Sequence, residues 1–147
     1  MQPLWEVRVM RMCNDVITVF NARVDPATRG DVWRATIIRG VSWHAAADCA
    51  VEAGGGLAPA GGSVIRIPVE ADAGGSVYAD PVAYAAGEAE GRWTLRGGDI
   101  VAKGEFSGDD WTPAKLRQAC ADCVTVVGVT DNRRAPHGGH WRVTGEF

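Results

Sequence analysis

Cys123-Val-Thr-Val-Val-Gly-Val-Thr-Asp131-Asn-Arg-Arg-Ala-Pro-His-Gly-Gly139-His-Trp-Arg-Val-Thr-Gly-Glu-Phe147 is the stretch on which the fold turns. Val124 to Val129 and Trp141 to Phe147 are β-branched and aromatic runs, while the segment from Asp131 to Gly139 is polar and carries Pro and Gly. Two strand-formers around such a segment predict a β-hairpin. The rest of the chain is read as supplying strands for it to pair with.

Upstream, Val16-Ile17-Thr18-Val19-Phe20 predicts a strand, and Asp25 to Asp31 holds the residues that reverse a chain. Val32 to His44 is a longer strand whose period of two breaks at Ile37-Ile38 and Gly40, as at a bulge where a strand turns a barrel corner. Val64 to Val69 is a short strand, with Pro68 marking its end or a sheet edge. Trp93-Thr94-Leu95 leads through Gly97-Gly98 into a further strand from Asp99 to Phe106. One helix precedes the hairpin. Thr112 is its N-cap, Pro113 suits the first position, Leu116 can pack back on Trp111, and the helix should stop near Cys120–Asp122.

These elements predict a mainly β chain: one small β-barrel domain over residues 1–147, with one short helix before the C-terminal hairpin. Met1 to Met12 alternates weakly and reads as an arm or an extra strand. Residues 45–62 and 72–91 are loop excursions, the first Gly- and Ala-rich, the second with Asp80-Pro81 placed to start a helical turn carrying Tyr84. A chain of 147 residues can bury roughly two-thirds of its unfolded surface, enough for a real core. Its 19 glycines fall mostly in turn-like clusters, which suits many short strands.

A net charge of −3 gives no basic footprint for nucleic acid. Glu6, Arg8, Arg11 and Asp15 interrupt the apolar amino-terminal stretch, so no signal core or membrane span is expected and the protein should stay where it is made. Cys13, Cys49, Cys120 and Cys123 then read as reduced thiols.

Cys120-x-x-Cys123 followed by His137-x-x-His140 has nearly the spacing of a zinc finger. The hairpin argues against a metal there, because pairing its strands puts Cys123 and His140 at opposite ends, roughly 20 Å apart at about 3.3 Å per residue. The same cysteines at a helix C-terminus have the wrong dipole for a reactive thiolate. Ser42, Ser63, Ser76 and Ser107 lack a nucleophile-elbow context, and no glycine cluster forms a phosphate loop. Asp99, Asp109, Asp110 and Asp131 are turn-type acids first. The chain is therefore read as having no catalytic residue, metal or cofactor. Trp5, Trp33, Trp43, Trp93, Trp111 and Trp141 belong either to the core and strand faces or to an interface. Asp131, Arg133 and Arg134 have two readings, a solvated loop or a subunit contact to an acidic neighbouring surface.

Taken in order, Ile17 to Asn21, Asp31-Val32-Trp33, Gly40-Val41-Ser42-Trp43, Ile65-Arg66-Ile67-Pro68, Trp93-Thr94-Leu95, Gly98 to Glu105, and Val129 to Arg134 with His140 to Val143 resemble a family of uncharacterised proteins of tailed phages and prophages of Gram-positive bacteria. More loosely, the layout is similar to phage head–tail joining and minor capsid proteins. That resemblance implies a virion structural protein of the neck, a head-closure or connector component made in the bacterial host cytoplasm. It would assemble with copies of itself into a ring, between neighbours on the portal side and the tail side, through which DNA passes unbound. A tail terminator of the same neck is a close alternative. A rival of another class is a monomeric oligonucleotide-binding barrel that stacks bases on Trp and Arg. The resemblance does not reach Met1–Met12 or residues 53–62.

Overall fold

The computed structural model describes residues 13–24, 27–45, 62–87, 90–108 and 110–146. The amino-terminal arm, Trp5, Cys49 and nearly all of the first excursion lie outside them. Six antiparallel strands close on themselves in the order β1-β2-β3-β8-β7-β6: β1 is Asp15–Val24, β2 Asp31–Ala45, β3 Gly62–Pro68, β6 Ile100–Lys103, β7 Cys123–Asn132 and β8 His140–Glu146. Closure comes from β1, which pairs with β2 along one edge and with β6 along the other. A closed ring of strands leaves no free sheet edge.

The final hairpin forms as its sequence demands, with Asn132 opposite His140 and Thr125 opposite Glu146. Its register shifts between Val126 and Gly128, and the extra residue, Val127, is turned out to solvent. β2 is the strand that turns the corner. It pairs with β1 up to Val41 and with β3 from Ser42 onward. The switch falls at Gly40, which the pairing skips and whose φ of +86° an L side chain rarely adopts. Beside it the Arg39 backbone pairs with Asp72 instead. Pro68 is the last residue of β3, where its missing N–H matters least.

Two cores result, one on each face of the curled sheet. Ile17, Val19, Ile38, Val41, Ile65, Val101, Val124 and Val143 fill the interior, with Trp93 and Trp141. Phe20, Ile100, Ala102 and Cys123 face outward and are covered by α2, Pro113–Ala119, through Leu116. The Thr112 side chain accepts from the Lys115 N–H at 3.3 Å, and Trp111 packs in the same cluster as Leu116, as the capping pattern requires. The strand expected from Asp99 to Phe106 is shorter. Gly104, at φ +113°, ends it and lets Phe106 swing onto Trp111, with ring centroids 5.3 Å apart.

The second excursion is built, not loose. β4 (Val77–Tyr78) runs parallel to β5 (Arg92–Trp93), joined by α1 (Pro81–Ala85). Asp80 caps α1 by accepting from the Val82 and Ala83 N–H groups, and Tyr84 on its inner side is fully buried. No helix among the described residues is long and apolar enough to cross a membrane.

Candidate functional site

The β7–β8 turn carries the residues singled out for an interface, and the structure separates their roles. Asp131, next to the end of β7, makes an Asx turn, accepting from the Arg133 N–H at 3.0 Å. The same carboxylate takes a fork from the guanidinium: Nε to Oδ1 at 2.9 Å and Nη2 to Oδ2 at 2.7 Å. These bonds hold the Asp131 carboxyl below the usual range and push Arg133 up, since each ion favours the other's charged form. Gly139 makes the tight turn possible, because a Cβ there would stand 2.7 Å from the Arg133 carbonyl oxygen. Its own carbonyl accepts from the Val69 N–H at 3.0 Å, tying the turn to the end of β3.

Arg133 is exposed but lies over an aromatic cluster. Its guanidinium lies 5.1 Å from the Tyr78 ring centroid and 5.3 Å from that of Trp141. Tyr78, Trp93 and Trp141 form a closed triangle, with centroids separated by 4.6 to 5.2 Å. β4, β5, β8 and the β7–β8 turn therefore meet at one aromatic cluster capped by a cation. Arg134 is exposed beside it, and its charge also lowers the Asp131 carboxyl. Of the three residues, Arg134 presents the most available charge.

His140 is locked at the base of the turn. Its Nδ1 donates to the Gly138 carbonyl at 2.8 Å, which leaves Nε2 to accept from Asn132 at 3.4 Å. Cys123 opens β7 opposite Ala102, at the far end of the strand whose last residue pairs with His140. At about 3.3 Å per residue that is roughly 30 Å of strand. Cys13, Cys120 and Cys123 carry free thiols. Burial pushes the Cys123 thiol up, the neighbouring Cys120 adds to this, and Arg117 only partly opposes it. That is the reverse of what a redox nucleophile needs. The Ser42 hydroxyl lies 2.8 Å from His44 Nε2, but the nearby Asp15 carboxylate accepts from the Trp43 backbone N–H at 3.0 Å.

The sequence did not point to a buried polar knot between β1 and the 94–99 segment. Asp99 is 1% exposed. Its carboxylate accepts from Asn21 Nδ2 at 2.8 Å, the Ala22 N–H at 3.2 Å and Arg96 Nε at 3.4 Å. Asn21 in turn donates to the Thr94 carbonyl and accepts from the Thr94 N–H. Burial raises the Asp99 carboxyl, against the pull of those three donors. The knot straps the 93–99 segment across the barrel. Its only sequence trace is an acid after Gly97-Gly98, which reads equally well as a surface turn.

The family of unknown function DUF6751 matches residues 12–146. The chain belongs to it. The match takes in the eight strands and two helices of the described residues, so the aromatic cluster and the polar knot both lie within the matched stretch. No curated protein and no solved structure matches the chain.

Proposed function

We propose that the chain is a virion structural protein of the phage neck, a head-closure or connector component that works as a ring of copies and has no catalytic role. The carrying observation is that the stretches bearing the resemblance fold as one body. β1, the Trp-containing β2 bent at Gly40, β3 with Ile65-Arg66-Ile67, β6 after Gly98, and the β7–β8 hairpin are consecutive staves of a single closed barrel. A ring subunit needs such rigidity together with exposed groups to grip its neighbours. Arg134 beside the pinned turn, and Val24, Val77 and Val82 at 59%, 63% and 81% exposure, are groups of that kind.

The oligonucleotide-binding rival has weaker support. Trp93 and Trp141 are 3% and 4% exposed, and Arg133 already stacks within the chain, so these π-faces are not open to bases. The test is deletion of the gene from the phage or prophage that encodes this chain, followed by electron microscopy of the lysate. The proposal predicts separated heads and tails, rescued in trans. Tails of uncontrolled length would assign the terminator position instead, and normal infectious particles would refute a neck role.

A further inference from the structure

The β1–β2 hairpin runs on beyond β6 and meets α1. Register places Arg34 opposite Asn21 and Val32 opposite Arg23, so Arg23 and Arg34 are diagonal neighbours on one face of the hairpin. A cleft of about 470 Å³ opens there, lined by Arg23, Val24, Asp31, Tyr84 and Arg96 among others. Two arginines and a tyrosine supply donors in its lining. Arg96 stacks on Tyr84, 5.4 Å from the ring centroid, and is committed to Asp99 and to the Ala22 carbonyl. Neither the Arg23 nor the Arg34 side chain makes an ion pair or hydrogen bond among the described residues.

Tyr84 is fully buried, yet its hydroxyl has no hydrogen-bond partner. A buried hydroxyl left unmatched is a rare expense in a folded protein. Burial raises this phenol, while Arg34, Arg96 and Arg23 oppose the rise in that order, and Asp99 adds to it. Arg23 and Arg96 line the cleft together with Tyr84, and Arg34 lies diagonal to Arg23 on the same hairpin face. Asp31 is the carboxylate that lines the same cleft, and it is exposed.

We propose that the mouth of this cleft binds a small oxyanion, a phosphate or carboxylate group, held by Arg23 of its lining and by Arg34, the diagonal neighbour of Arg23 on the same hairpin face, with the Tyr84 hydroxyl as a third donor. Guanidinium donors bind most strongly to a charged acceptor, and the fork of an arginine fits the two oxygens of such a group. The assignment stands whether or not the chain builds a ring. The oxyanion has two possible sources, a free ion or a carboxylate side chain of a second copy.

The experiment titrates sodium phosphate, and separately sodium acetate, into the full chain. Melting temperature and calorimetric heat are compared with sodium chloride at matched ionic strength. Binding to the folded state raises the melting temperature saturably. Arg34→Gln should weaken the response at least about tenfold, as expected for loss of a charge-assisted bond. Tyr84→Phe should fold at least as well without anion, because it removes an unmatched group, and should also bind several-fold more weakly. Sedimentation separates the sources. A monomer that simply binds phosphate indicates a free ion; self-association that phosphate disperses, and that Arg34→Gln abolishes, indicates a neighbour's carboxylate. No saturable response beyond chloride, or an unchanged response in both variants, would overturn the proposal.

Discussion

Gly145 is the position at which barrel packing can be tested most sharply. It is the third inward residue of β8 after Trp141 and Val143, and it lies opposite Ser63 on β3 and Val126 on β7. A Cβ there would stand 2.5 Å from Val124 Cγ2, 2.8 Å from Val124 Cβ and 3.2 Å from the Thr125 oxygen. Val124 cannot simply step aside, since it is β-branched, 1% exposed and held in the strand that pairs with β6. Overpacking of this sort costs about 1–3 kcal/mol, and the need to move backbone puts Gly145→Ala in the upper half of that range. At about 2–4 °C per kcal/mol for a domain of this size, its melting temperature should fall by about 4–12 °C. Val124→Ala alone should cost about 2 kcal/mol through lost methyl groups and a cavity. The space it vacates is the space the new methyl needs, so the double variant should fall short of the sum by at least about 1 kcal/mol. Urea unfolding of the four proteins, followed by tryptophan fluorescence, measures the cycle. A Gly145→Ala variant as stable as the parent, or strict additivity, would refute this packing of β7 against β8.

Asp99 and Asp131 should respond to pH with opposite signs. The folded Asp99 carboxyl titrates above its unfolded counterpart, so its contribution is most favourable in acid and is lost as pH rises past about 4. Unfolding free energies of the parent minus Asp99→Asn across pH 3 to 7, roughly the carboxylate span, should show that decline; a flat difference would contradict it. Asp131 titrates low, so its contribution is present at neutral pH and fades as pH falls through the folded value. Because the pair with Arg133 is exposed, Asp131→Asn should cost only about 0.2–1 kcal/mol in thermal unfolding, and a larger loss would mean that the turn supports the barrel itself. Thr112→Ala should remove about 1 kcal/mol by uncapping α2, while Thr112→Ser should restore most of it. Arg134→Glu should leave the melting temperature unchanged and reduce assembled particles, and normal particle yield would remove Arg134 from any interface.

What was legible in the sequence was whatever depends on near neighbours. The hairpin follows from two β-branched runs around a polar turn, and α2 follows from Thr112-Pro113, because capping is decided within four residues. Gly40 showed as a break in a period of two, and the break is the barrel corner. What was hidden depends on contacts across the chain. Asp99 reads as a turn acid until β1 brings Asn21 onto it, 78 positions away. Arg133 reads as a solvated cation, yet the parallel β4–β5 pairing delivers Tyr78 beneath it. Nothing local in residues 72–91 announces that pairing, since two-residue strands carry no periodicity. For the same reason Tyr84 was placed on its helical turn but not in the cleft that Arg23 lines.

Cryo-electron microscopy of the intact particle made by the genome that encodes this chain tests the central claim most directly. The barrel, with Trp93 and Trp141 stacked on Tyr78, is a density landmark of known shape. The account predicts that it repeats as a symmetric ring between portal and tail tube, with Arg134 at a subunit contact. A complete virion whose neck contains no such barrel would contradict it.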